Sequence, residues 1–193
     1  VRDKVDILAG FTLTPEALGA AGVSQEAKKL QVVMNAATSI ITEKSPYIVR
    51  TSLTIPQLEY PFGKWAAAHG MKKMYTMVSD YGPGIDAETW FIKGFKEAGG
   101  EIVGTVRMPV ANPDFSAFVQ RAKDINPDGV FIFIPGGAQP IAITKAFQER
   151  GFKGDKILGQ GEITMDDNAL KSMGTTPSAS APCSTTAGST NRR

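Results

Sequence analysis

Short apolar segments alternate with helical patterns along most of this sequence, and this alternation constrains the fold more than any other feature. We predict strands at Val5–Ala9, Leu30–Met34, Met74–Ser79, Ile102–Met108, Gly129–Ile134 and Ile157–Leu158. Helices are predicted between them, near Pro15–Ala21, Ile55–His69, Ile85–Ala98, Phe115–Lys123 and Ala138–Arg150. Strands that alternate with helices usually pair in parallel, and unbroken apolar strands such as VFIFI are covered on both faces. The pattern therefore predicts an α/β fold with a parallel sheet.

Residues that begin and end helices stand at the expected places. Thr14 is predicted to be an N-cap, with Pro15 at the first helical position. Asp114 closes an Asn-Pro-Asp segment that opens the helix FSAFVQRAK. Gly99 and Gly151 follow helical patterns directly and are predicted to end them.

Composition excludes several classes of function. The net charge is +2, from 21 basic and 19 acidic residues without a basic stripe, which argues against a nucleic-acid partner. Cys183 is the only cysteine, so the sequence predicts neither an internal disulfide nor a thiolate metal site. His69 is the only histidine, which removes most zinc and triad chemistries that depend on histidine. No cofactor is expected.

The carboxyl ends of the predicted strands are where a ligand would bind, because ligands of open parallel sheets lie outside those ends. Here they read GFTLTPE, NAATS, SDYGPG, PVANPD, IPGGAQ and GQGEIT. These segments are rich in small residues and hydroxyls and carry few charges. They are typical of a lined pocket rather than of a charged reaction centre, so no enzymatic activity is predicted.

The same segments carry a resemblance to a known family. VDILAG…TPEA, VVMNAAT followed by YIVRTS, VSDYGPG, the block from GFKEAGG to IPGG, and ILGQGEI occur in one order between Val5 and about Gly174. In this they resemble the branched-chain amino-acid-type substrate-binding proteins of ABC transporters, which have the type I periplasmic-binding fold. The resemblance implies capture of a small amino acid or carboxylate between two closing lobes, without catalysis. It also implies a monomer, a permease partner and an extracytoplasmic location.

The resemblance also implies which residues hold the ligand's carboxylate. Backbone groups of Ala36 and Ala37, with the hydroxyl of Thr38, match the loop that binds it. Thr14 matches a second hydroxyl position. Small side chains let a ligand approach the main chain, and free N–H groups beside a hydroxyl suit an anion.

Three further positions are carried over from the same resemblance. Tyr81 matches a tyrosine of the facing lobe, and Glu162 matches the acid that receives an ammonium group. Gly136 lies in IPGGAQ, where the amino-acid binders have an aromatic residue. The missing aromatic predicts a wider pocket and puts branched-chain specificity in doubt.

Simpler interpretations remain open at each position. Thr14 and Thr38 can serve only as helix N-caps, Tyr81 as a loop aromatic and Glu162 as a solvated acid. Two other functions also remain open: a ligand-sensing module on the same fold, and an enzyme of Rossmann or flavodoxin type. The enzyme is disfavoured because no phosphate-binding glycine motif and no paired acid and base occur.

The domain organisation is predicted from the same resemblance. Residues 1–52 would form part of an N-terminal lobe, lacking two βα units and a signal peptide, and residues 53–173 most of a second lobe. Residues 174–193 contain no Ile, Leu, Val, Met or aromatic residue, so we expect them to be disordered. A frameshift after Met173 is our specific hypothesis for this tail. The chain is thus expected to be a fragment.

Overall fold

The computed structural model describes residues 4–152 and 156–159. Its strands are β1 (Ile7–Gly10), β2 (Leu30–Val33), β3 (Ile48–Arg50), β4 (Lys73–Ser79), β5 (Glu101–Met108), β6 (Gly129–Phe133) and β7 (Ile157–Gly159). Its α-helices are α1 (Thr14–Ala27), α2 (Ile55–Ala68), α3 (Gly82–Glu97), α4 (Phe115–Ile125) and α5 (Ala138–Glu149). A 3₁₀ helix covers Ser39–Glu43. All the strand pairs of this part of the chain are parallel, which confirms the predicted α/β class.

The strands form two separate sheets. The first has the order β1-β2-β3, and the second has the order β5-β4-β6-β7. The predicted lobe boundary between residues 52 and 53 falls between β3 of the first sheet and α2, which packs against α3 beside the second sheet. The boundary itself stays a prediction. Both Glu162 and the predicted tail lie outside the described residues.

The second sheet is covered on both faces, which explains its unbroken apolar strands. Tyr75 and Met77 of β4 face one buried cluster with α4 and α5. Met74 and Val78 face the other cluster, where α2 and α3 pack. In that second cluster the rings of Phe91 and Phe131 stack with centroids 4.0 Å apart. Alternate residues of one strand therefore fill two cores.

Helices α2 and α3 approach each other closely because glycines lie at their contact. A Cβ atom added at Gly63 would lie 2.3 Å from the carbonyl oxygen of Phe91. A Cβ atom at Gly94 would lie 2.0 Å from the carbonyl oxygen of Tyr60. No side chain fits either space, so the contact depends on both glycines.

The first sheet has a smaller core and a more exposed surface. Its buried apolar residues are Ala17, Ala21, Val33, Ala36, Ile41 and Ile48. Ile7 and Met34 are 56% and 59% exposed, and Val49 is also exposed. This part of the chain therefore exposes apolar residues on its surface.

The start of α1 differs from the prediction. Leu13, not Thr14, is the N-cap, and Thr14 is the first helical residue. The carboxylate of Glu16 accepts hydrogen bonds from the N–H groups of Thr12 and Leu13, at 3.0 and 3.1 Å. The hydroxyl of Thr14 instead lies against the hydroxyl of Thr38. The prediction of Thr14 as an N-cap was therefore wrong.

The other predicted helix ends are confirmed. Asp114 is the N-cap of α4, and its carboxylate accepts a hydrogen bond from the N–H of Ser116 at 3.0 Å. Gly99 and Gly151 follow α3 and α5 with φ angles of +89° and +69°, which favour glycine.

Candidate functional site

A cleft of about 50 Å³ lies where the carboxyl ends of both sheets meet. It is lined by Thr12, Leu13, Thr14, Asn35, Ala36, Ala37, Ile55, Tyr81, Pro83, Phe133, Ile134, Pro135 and Gly136. Five of the predicted site residues line the cleft: Thr14, Ala36, Ala37, Tyr81 and Gly136. Thr38 directly follows Ala37 in the chain. The position of the cleft agrees with the rule that placed the site at the strand ends.

Thr14 and Thr38 meet at one end of the cleft. Their hydroxyl oxygens lie 2.6 Å apart, and the two residues are only 3% and 4% exposed. One hydroxyl donates its proton to the other, so the accepting hydroxyl keeps a proton for a further acceptor. Neither side chain caps a helix through a hydrogen bond. The pair can therefore donate one hydrogen bond to a ligand oxygen.

The loop after β2 offers a limited set of backbone donors. The N–H of Ala36 donates to the carbonyl of Phe11 at 2.9 Å, so this group is already used. Ala36 is buried and contributes a small wall instead. The N–H groups of Ala37 and Thr38 have no acceptor among the residues that the structure describes. These two groups are the donors that remain for an anion.

The carbonyl groups of the same loop are held by a basic side chain. Arg50, the last residue of β3, donates from Nη1 to the carbonyl of Ala37 at 3.2 Å. It donates from Nη2 to the carbonyl of Thr38 at 2.5 Å. The N–H of Ile55 also donates to the carbonyl of Ala37, at 2.9 Å. Sequence analysis missed Arg50, although YIVRTS was among the segments that carried the resemblance.

Tyr81 lies on the facing side of the cleft, as the N-cap of α3. Burial raises the pKa of its phenol to about 12 because the charged phenolate loses hydration. Within the described part of the chain its hydroxyl has no hydrogen-bond partner. Tyr81 therefore stays protonated near neutral pH and can donate to a ligand.

The remaining wall of the cleft is apolar. Phe133 ends β6, and Ile134, Pro135 and Gly136 continue the chain past it, while Ile55 begins α2. Gly136 is exposed and adds no side chain. The lining residues in the described ranges carry no charge. An apolar wall opposite hydrogen-bond donors suits a ligand with one anionic end and one apolar end.

A contact beside the cleft joins the two sheets. Asp86 of α3 accepts hydrogen bonds from Ser39, at 2.8 Å from the backbone N–H and 3.0 Å from the hydroxyl. It also accepts from the indole N–H of Trp90 at 3.1 Å. Sequence analysis missed this contact because Ser39 and Asp86 are 47 residues apart and no local pattern marks the pair.

Residues 4–152 and 156–159 contain neither a group of metal-ligating side chains nor a membrane-spanning helix. No group of three or more His, Cys, Asp or Glu side chains there could hold a metal ion. No helix in the same residues combines the length and apolar character needed to cross a membrane.

Two parallel α/β sheets with a cleft between their carboxyl ends define a class of two-lobed solute-binding proteins. The chain belongs to the periplasmic binding protein family, whose model matches residues 1–190. The predicted resemblance is confirmed. The family consists of solute-binding proteins, which are generally not enzymes.

Relatives of the chain include both named homologues and solved structures. It is 44% identical over 170 residues to Leu/Ile/Val-binding protein homolog 6 of Brucella melitensis, covering 87% of this chain and 44% of that protein. It is 50% identical to an ABC-transporter solute-binding protein of Rhodopseudomonas palustris BisB5 solved with 3,4-dihydroxybenzoic acid. That match has a TM-score of 0.82 and covers 91% of this chain and 48% of the other.

A second solved relative, from Rhodopseudomonas palustris HaA2, is in complex with p-hydroxybenzoic acid. It is 45% identical, with a TM-score of 0.85, and the match covers 91% of this chain and 48% of that chain. The chain thus spans about half the length of the relatives it matches.

Proposed function

We propose that this chain belongs to the solute-binding component of an ABC importer and that its cleft captures a small aromatic carboxylate of the hydroxybenzoate class. The observation that carries the proposal is the division of the cleft. Neutral hydrogen-bond donors stand at one end, and an uncharged apolar wall stands at the other. The partner is a transporter permease, the location is extracytoplasmic, and no catalytic step is involved.

The donor end of the cleft suits a carboxylate. The Thr14–Thr38 pair supplies one O–H proton, and the N–H groups of Ala37 and Thr38 supply two more donors. A carboxylate has two oxygens and about four lone-pair sites, so it can accept all three. Hydrogen bonds to an ionised acceptor are stronger than those to a neutral one.

The apolar end suits a flat ring. Gly136 stands where the amino-acid binders have an aromatic residue, and Phe133, Pro135 and Ile55 provide apolar surface. Tyr81 adds a protonated phenol that can donate to a ring hydroxyl. The two solved relatives with hydroxybenzoate ligands support this choice, because they are 50% and 45% identical to this chain over the matched residues.

An amino acid is the second candidate ligand, since the Brucella relative is named for leucine, isoleucine and valine. An amino acid needs an acceptor for its ammonium group, because a buried unpaired charge is costly. Among the described lining residues there is no carboxylate. Glu162 would supply one, and its role stays a prediction because this residue lies outside the described ranges.

Calorimetry with a small panel of ligands tests the proposal. We expect the full chain to bind 4-hydroxybenzoate and 3,4-dihydroxybenzoate, and to bind neither leucine nor the methyl ester of 4-hydroxybenzoate. The ester keeps the ring but removes the anion, so it isolates the role of the carboxylate. Binding of leucine without binding of the hydroxybenzoates would overturn the proposal in favour of an amino-acid carrier.

A further inference from the structure

One peptide unit beside the cleft is held from both sides by oppositely charged side chains. The carbonyl of Thr38 accepts from the guanidinium of Arg50 at 2.5 Å, and the N–H of Ser39 donates to the carboxylate of Asp86 at 2.8 Å. In a trans peptide these two groups point in opposite directions. We propose that Arg50 of β3 and Asp86 of α3 are positioning residues of the ligand site, and that they fix the donors of the binding loop through this peptide. The inference rests on the proposed function.

Arg50 determines where the free N–H of Thr38 points. Its second donor holds the carbonyl of Ala37 at 3.2 Å, together with the N–H of Ile55 at 2.9 Å. The Ala37 carbonyl and the Thr38 N–H belong to one peptide, so they point opposite ways. With the carbonyl held on the Arg50 side, the N–H points away from the guanidinium. A loop without this hold could turn a carbonyl oxygen toward a bound carboxylate, and the two would repel.

The geometry of arginine suits this role and that of lysine does not. A guanidinium presents several N–H donors in a rigid plane and can bind two carbonyls at once, whereas an ammonium is a compact point charge. Burial lowers the pKa of Arg50, and the negative charge of Asp86 partly offsets this effect. Arginine nevertheless keeps its charge at physiological pH. The two charges therefore act on the same loop from opposite sides.

Asp86 connects this loop to the other wall of the cleft. It lies in the first turns of α3, whose N-cap is the cleft residue Tyr81. Its carboxylate accepts two hydrogen bonds from Ser39 and one from Trp90. Ser39 directly follows Thr38, so the bond that joins the sheets is one residue from the ligand donors. The contact that brings the two sheets together therefore also fixes the conformation of the loop that carries the ligand donors.

Asp86 and Arg50 are expected to have different kinetic effects. Loss of the hydrogen bonds between Ser39 and Asp86 weakens the contact between the two sheets. Release of ligand should therefore accelerate, while association changes little. Loss of the Arg50 contacts disorders the donors before any ligand arrives, so association should slow as well. Hydrogen bonds to charged groups are strong enough for changes of roughly 10-fold or more in affinity.

Stopped-flow binding of 4-hydroxybenzoate to the full chain tests these expectations. We expect D86A to raise koff at least tenfold, S39A to raise it less because the backbone bond remains, and D124N to leave it unchanged. Asp124 is an exposed carboxylate on α4 that accepts a hydrogen bond from Gln120 of the same helix, and it provides the matched control. We expect R50K, which keeps the charge but not the planar fork, to lower kon and raise koff. Equal rates for D86A and the wild type would overturn the inference.

A measurement without ligand separates this inference from the proposed function. Hydrogen exchange at the Ser39 amide should be slow in the wild type and at least tenfold faster in D86A, because Asp86 is its acceptor. The fluorescence of Trp90 gives a second measurement, because its indole N–H donates to the same Asp86 carboxylate. The W65F substitution removes the other tryptophan, so that Trp90 alone is observed. Unchanged exchange at Ser39 would overturn the role of Asp86. If no aromatic carboxylate binds while exchange at Ser39 accelerates in D86A, the proposed function is wrong. The role of Asp86 in fixing the Thr38–Ser39 peptide is then still supported.

Discussion

Thr14 and Thr38 lie together at the strand ends where a ligand was expected, but their hydroxyls bind each other and do not cap helices. The sequence left open whether each threonine served only as a helix cap, because threonine before a helix is a common N-cap. In the structure Glu16 accepts from the N–H groups of Thr12 and Leu13, just before α1, and the two hydroxyls bind each other at 2.6 Å. A local pattern could not reveal a bond between residues 24 positions apart.

Replacement of Thr38 tests the donor end of the cleft at the scale of one hydroxyl. We expect T38A to weaken binding of 4-hydroxybenzoate by about 1–3 kcal/mol, because a buried donor to a charged acceptor is lost. T38S keeps the hydroxyl and should recover most of the affinity. Calorimetry measures both, with T89A on the exposed face of α3 as the control. Equal affinity of T38A and wild type would remove this hydroxyl from the site.

Elements were predicted best where their pattern was long and their ends were marked. The sequence located α2 to α5 and every strand of the described residues except β3, and glycine correctly marked the ends of α3 and α5. It missed β3, which has only three residues. It also ended α1 six residues early, at Ala21 instead of Ala27, because Gly22 and the polar residues after it weaken the helical pattern.

Glycines at a helix contact and on a helix surface should respond in opposite ways to the same substitution. G63A places a methyl group 2.3 Å from the carbonyl oxygen of Phe91, so α2 and α3 must separate. We expect a loss of about 1–3 kcal/mol in the free energy of unfolding. G22A in α1 meets no atom within 4 Å and should stabilise by about 0.5–1 kcal/mol.

Urea unfolding of the two variants measures this difference on a common scale. Because both substitutions add one methyl group within a helix, helix propensity alone predicts stabilisation in each. A stabilised G63A would therefore contradict the close contact between α2 and α3.

Helix α2 also buries a carboxyl group with a clear dependence on pH. Glu59 is 2% exposed, and burial raises the pKa of its carboxyl from 4.5 to about 8. The folded chain thus holds this proton more tightly than the unfolded chain. The protonated Glu59 carboxyl contributes to the free energy of unfolding fully below pH 4.5. This contribution is lost as the pH rises through 8, because the carboxyl ionises at lower pH in the unfolded chain than in the folded chain.

We expect E59Q to remove this part of the pH dependence, since glutamine does not titrate. Between pH 5 and pH 8 the wild type should lose stability relative to E59Q by on the order of a few kcal/mol. Urea unfolding at both pH values measures the difference, and E101Q, at an exposed position, serves as the control. Parallel losses in the wild type and E59Q would show that the carboxyl group is already ionised in the folded chain.

At the scale of the whole molecule, the cleft could be located from the sequence and its closure could not. Carboxyl ends of parallel strands meet at one edge, so GFTLTPE, NAATS, SDYGPG and IPGGAQ were expected to lie together. They do, and Thr14, Ala36, Ala37, Tyr81 and Gly136 line the same space. The bond between Ser39 and Asp86 depends on how two sheets approach, which no pattern within either sheet encodes.

The neutral lining of the cleft has a consequence for where such a protein can work. A ligand anion that is held by hydroxyl and amide dipoles at short range is little affected by dissolved salt, which mainly screens exposed charges over about 10 Å. A site built on surface lysines would lose affinity as the ionic strength rises. On the proposed function, with donors at Ala37, Thr38 and Tyr81, binding of the carboxylate should be equally strong in dilute and in saline surroundings.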